Sequence, residues 1–154
     1  MGNVLRILPW LAGSFISAIF VDSLRFKFTG HPTPEHIFTT LREWSGIGLF
    51  FPAGPWVIGL GELLSSFLLI VLPLGLLARG TVKDVARSQF AGAMLAMAIM
   101  SGAIAFHLFT PLGIETPVEW ENGAVQKESA ALFYSAVASW VCAALIMAIR
   151  KREL

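Results

Sequence analysis

Apolar residues run almost unbroken through four stretches of the chain, about 5–24, 54–78, 88–110 and 129–149, and charged residues gather between them. Each run has the roughly 20 residues that a helix needs to cross the hydrocarbon layer. Open strand edges cannot be satisfied in lipid, so runs of this kind are helical. The pattern predicts an all-α integral membrane protein, a four-helix bundle forming one domain over 1–154, with no room between the spans for a soluble domain. The first run shares with signal peptides a basic flank, Arg6. Its apolar stretch nevertheless continues past Phe20 to Asp22 without a small-residue cleavage pattern, so it is read as a retained span.

The connections carry structure of their own. In "TPEHIFTTLREW" the signals are Thr33 as N-cap, Pro34 at the first helical position and Glu35 near the helix N-terminus. Ile37, Phe38, Leu41 and Trp44 share a face, which predicts a short amphipathic helix over 34–44 lying in the membrane interface, with Gly46 as its stop. In "TPVEWENGAVQKES" the pair Asn122-Gly123 stands between extended-looking flanks, a hairpin signal. Trp44, Trp56 and Trp120 suit an aromatic belt at the same surface.

Composition agrees with a membrane environment: 56% of residues are hydrophobic, 14% are charged, and the mean hydropathy is +0.73. A net charge of +1 offers no basic field for nucleic acid. Cys142 is the one cysteine, which excludes an internal disulfide, CxxC dithiol chemistry, Cys-rich zinc sites and iron–sulfur clusters. Seven of the eleven Lys and Arg lie at the N-terminus, the 79–87 loop and the C-terminus; Arg25, Lys27, Arg42 and Lys127 lie on the other side. The bias places both termini in the cytoplasm.

That orientation brings polar groups from all four spans toward one layer near the outer surface. Asp22 ends the first span, with Arg25 and Lys27 just above. Glu62 lies in the outer half of the second, where an ionisable group costs at least about 2.5–3.5 kcal/mol at mid-bilayer and therefore needs a partner, a proton or water. Gly59, Ser65 and Ser66 share its side of the helix and permit close approach, so Glu62 is expected to face inward. His107 nears the exit of the third span after the stripe Gly92, Ala96, Met100, Ala103, and Tyr134 enters with the fourth. Each also has a structural reading. Glu62 can fix helix register through a salt bridge, His107 can be satisfied at a helix exit, and Tyr134 can be an interfacial anchor. Asp22, Arg25 and Lys27 can be ordinary helix-end charges, the basic pair snorkelling to headgroups. His31 and His36 read as solvated. A metal would need three convergent ligands, which His31, His36, His107 and Glu62 supply only if the loop folds inward, so none is expected. Haem ligation lacks a pair of buried histidines.

The segments "LRFKFTGHPTPEHIFTTL", "GLGELLSSFLLIVLPLGLLARG" and "GAMLAMAIMSGAIAFHLFTPLGI" resemble the DoxX-like branch of the DoxX/DoxD small membrane proteins. The resemblance covers nearly the whole chain in order. It is anchored on Lys27-Phe28-Thr29-Gly30, Gly61-Glu62, His107-Leu108 and Thr110-Pro111-Leu112-Gly113. It implies a four-helix protein of the bacterial inner membrane and a link to redox or thiol-stress systems; the family name comes from a subunit of a thiosulfate:quinone oxidoreductase. With no paired cysteines the thiol-exchange version does not carry over, and no catalytic set does. Lys27, Glu62 and His107 stand in the matching motifs.

Three functions compete. A non-catalytic subunit or scaffold of a membrane complex, with another membrane protein or further copies of itself as partner, ranks narrowly first. Second is a quinone-interacting redox subunit, Glu62 and His107 meeting the quinone oxygens and electrons coming from a partner. A small transporter or proton conduit ranks well below, since inverted repeats and broken helices are not evident, although Pro73 can kink the second span.

Overall fold

A computed structural model of the protein describes residues 3–154. Helix α1 (Asn3–Phe28) is followed by α2 (Pro32–Ser45) and a 3-10 turn at Gly48–Phe50. The second long helix has three parts: α3 (Ala53–Ser66), a π-helical turn (Phe67–Val71) and α4 (Leu72–Ala78). After α5 (Val82–Phe109) come strands β1 (Thr116–Glu121) and β2 (Ala124–Ser129), then α6 (Ala131–Arg150). Among the described residues four helices are long and apolar enough to cross a membrane: Arg6–Phe28, Ala53–Ala78, Val82–Phe109 and Ala131–Arg150.

These bounds correct the expected ones where helical hydrogen bonding outlasts the apolar run. α1 continues one turn beyond residue 24, taking Arg25 and Lys27 with it, and α5 begins six residues before 88. The all-α class is corrected too, because the Asn122-Gly123 signal produces two strands. Asn122 (φ 51°) and Gly123 (φ 79°) both take the left-handed conformation that a two-residue hairpin turn requires. β1 and β2 pair antiparallel across it, Glu121 opposite Ala124.

The amphipathic helix forms as α2, with Gly46 (φ 72°) closing it. Its start differs from expectation. His31, not Thr33, is the N-cap, accepting the Thr33 N–H on Nδ1, and Pro32 takes the first helical position. Thr33 is instead buried, and its hydroxyl joins two distant loops: it donates to Pro117 O (2.9 Å) and accepts from the Trp120 indole (3.0 Å). The hairpin is thereby fastened to α2. Phe38 and Leu41 point inward as the spacing requires, whereas Trp44 is exposed.

The long helices lie side by side: α1 against α3 and α6, α5 against α3, α4 and α6. Inward positions recur at helical spacing. On α1 they are Ala12, Ile16 and Phe20; on α5, Ala93, Ala96 and Met100; on α6, Ala136, Ala143 and Ile146. Outward positions are apolar as well: Leu11, Val57, Leu60 and Val141 are each more than half exposed. Helices apolar on every side are found inside large cores or in lipid.

The π-turn is a local answer to Pro73. The Leu72 N–H bonds back to Phe67 O, and Pro73 has no N–H. Leu68 O therefore lacks both intrahelical donors, and Leu69 O loses its usual one. α5 supplies replacements: Ser88 Oγ donates to Leu68 O (2.7 Å) and Gln89 Nε2 to Leu69 O (3.1 Å). Gly92 permits this approach, since a Cβ there would stand 3.0 Å from Leu68 Cβ and 3.1 Å from Leu69 N.

Candidate functional site

The extra turn of α1 decides where Lys27 goes. Positions 16, 20, 23 and 27 continue one stripe down the helix, so Ser23 and Lys27 follow Ile16 and Phe20 to the interior. Glu62 reaches the same place from α3, with Gly59, Ser65 and Ser66 buried beside it as expected. Lys27 Nζ lies 2.8 Å from Glu62 Oε1 and 2.9 Å from Oε2, and also donates to Ser23 Oγ. Ser23 Oγ in turn donates to Glu62 Oε2 at 3.0 Å. The carboxylate is 3% exposed and the lysine side chain 14%. A charge pair this far from water needs further hydrogen bonds, and Ser23 supplies one to each partner.

His107 makes no hydrogen bond to this pair among the described residues. Buried near the end of α5, it is held by the turn that follows. Thr110 Oγ1 donates to Phe106 O (2.6 Å) and accepts the Leu112 N–H (3.2 Å), and Gly113 (φ 69°) turns the chain back. Gly113 O then lies 2.6 Å from His107 Nδ1. A carbonyl only accepts, so Nδ1 carries the hydrogen, and Nε2 is the nitrogen left for anything else. The ring also meets Phe133 edge to face, 5.8 Å between centroids.

Lys27, Ser23, Glu62 and His107 all border one cavity of about 450 Å³. The rest of its wall is hydrocarbon, from Phe20, Val57, Met100, Phe106 and their neighbours, and Ile37, Phe38 and Leu41 of α2 cover it. The volume is that of a small-molecule site, apolar with a few polar groups.

Three of the expected residues do not join. Asp22 and Arg25 are exposed and pair with each other at 3.0 Å, one turn apart on the outer face of α1, where Arg25 also covers the Phe26 ring. Tyr134 is 64% exposed, because α6 turns Ala136, Ser139 and Ala143 inward instead. For these residues the side of the helix they occupy faces outward, away from the cavity. Of the other histidines, His31 caps α2 and His36 lies against the Trp120 ring. Among the described residues no three His, Cys, Asp or Glu side chains converge as a metal site would need.

Two sets of residues escaped the sequence reading. Ser23 had a signal, its i,i+4 relation to Lys27. Gln89 and Arg150 had a weaker one, polar residues just inside apolar runs. Both are buried at the opposite end of the helices, where Arg150 Nε donates to Gln89 Oε1 at 2.7 Å and the guanidinium pairs with Glu153. Compared with models of known families, with curated proteins and with solved structures, the chain matches none.

Proposed function

We propose that this is a DoxX-like protein of the bacterial inner membrane, a four-helix bundle with cytoplasmic termini, whose cavity binds a quinone-type ligand for a partner redox enzyme. The observation that carries this reading is a buried ion pair bordering an apolar cavity that also meets His107. A pair serving helix register alone needs no adjoining volume, and this one has about 450 Å³, within the roughly 300–1,000 Å³ of small-molecule sites. An apolar wall suits a ring and its tail, and the few polar side chains on the wall suit the oxygens of the ring. The ligand would carry the electron chemistry, which no motif of the chain supplies. This places ligand binding ahead of the scaffold role favoured by the sequence. The scaffold reading keeps one observation of its own, the close mutual pairing of Lys27, Glu62 and Ser23.

Tryptophan fluorescence of the detergent-solubilised protein, titrated with decyl-benzoquinone, separates the two. Saturable quenching is expected, and Ala136→Phe, which fills the cavity at about 1–3 kcal/mol in stability, is expected to remove it. Quenching that does not saturate, or that Ala136→Phe leaves untouched, favours the scaffold.

A further inference from the structure

Every side-chain hydrogen on the polar wall already has an acceptor. Lys27 has three N–H bonds and three acceptors, Glu62 Oε1, Glu62 Oε2 and Ser23 Oγ. The Ser23 hydroxyl donates to Glu62 Oε2. Ser135, the other hydroxyl bordering the cavity, donates to Leu132 O at 2.9 Å. His107 Nδ1 donates to Gly113 O. The remaining side chains around the cavity are hydrocarbon or thioether.

Acceptor capacity, by contrast, is left over. Glu62 Oε1 receives one hydrogen bond, from Lys27, and a carboxylate oxygen takes two. Nε2 of a neutral imidazole is an acceptor, and His107 Nε2 has no partner among the described residues. A ligand head made only of carbonyls would meet acceptors with acceptors, losing its water without replacement. A head with hydroxyl groups would gain bonds on entry. Sites built to hydrogen-bond a hydroxyl discriminate sharply against analogues without one.

We infer that the cavity takes the hydroxyl-bearing, reduced form of its ligand, a hydroquinone whose O–H groups donate to the acceptors left on His107 and Glu62. The inference rests on the quinone-type reading above and specifies which form that site prefers.

Calorimetric titration of the unaltered protein in detergent tests it, at pH 8, where imidazole in water is neutral, and under argon. The probes are decyl-hydroquinone, decyl-benzoquinone and the hydroquinone dimethyl ether, which keeps ring and tail but has no donor. The hydroquinone is expected to bind at least about tenfold more tightly than either of the others. Quinone binding as tight as hydroquinone binding, or an ether that matches the hydroquinone, overturns this inference and leaves the quinone-type reading standing. Absence of saturable binding by all three overturns both.

Discussion

A buried basic side chain lies at each end of the long helices, and the two are housed differently. At the end shared by the termini, Arg150 is buried against Gln89 and Glu153. Gln89 also serves the carbonyl left over by Pro73, so this cluster closes a gap in backbone hydrogen bonding. At the hairpin end, Lys27 is equally well paired, but its neighbours stop at an open volume roofed by α2. Burial of charge therefore does not by itself mark a ligand site. What sets the Lys27 cluster apart is the cavity that it borders.

The contrast can be broken first at its stronger pole. Glu62→Leu leaves Lys27 charged without a counter-charge and is expected to cost about 3–5 kcal/mol, whereas Lys27→Met combined with Glu62→Leu should recover most of that loss. Unfolding in mixed micelles reads both; a double variant as unstable as the single one would show that the pair is not what the helices lean on. Next comes Gln89→Leu, which strands Arg150 Nε and Leu69 O for about 2–3 kcal/mol and should leave ligand binding unchanged. In a Pro73→Ala background, which returns an N–H opposite Leu69 O, the same substitution should cost about 1 kcal/mol less. Equal losses in the two backgrounds would refute the link between Gln89 and the proline. The smallest effect is expected for Thr33→Val, about 1 kcal/mol, accompanied by faster amide exchange in the hairpin as its tie to α2 is lost; unchanged exchange would mean that the hairpin stands without it.

How much of this was legible follows from what periodicity encodes. Spans, hairpin turn and the Gly46 stop are local signals and were readable. So was the inward turn of Glu62, because Gly59, Ser65 and Ser66 mark a small-residue face. Rotation was not readable for α6, where apolar residues surround the helix and leave little contrast to orient Tyr134. The Lys27–Glu62 pair was hidden for a different reason: it joins residues 35 apart and depends on α1 outlasting its apolar run by a turn. Thr33 illustrates a third limit. A threonine before a proline reads as a cap, and only the arrival of a hairpin 84 residues away gives its hydroxyl another use.

The π-turn at Phe67–Val71 has a geometric consequence for the helix that contains it. Each residue advances an α-helix by about 100°, and the wider π turn takes up about one residue more than an α turn, so the bulge itself sets the azimuth of Glu62 relative to that of Pro73. As the chain stands, both are buried. Deleting one of those five positions would therefore restore regular winding with the carboxylate and the proline still in phase, whereas straightening the turn at full length would rotate one by about 100° from the other and unseat it.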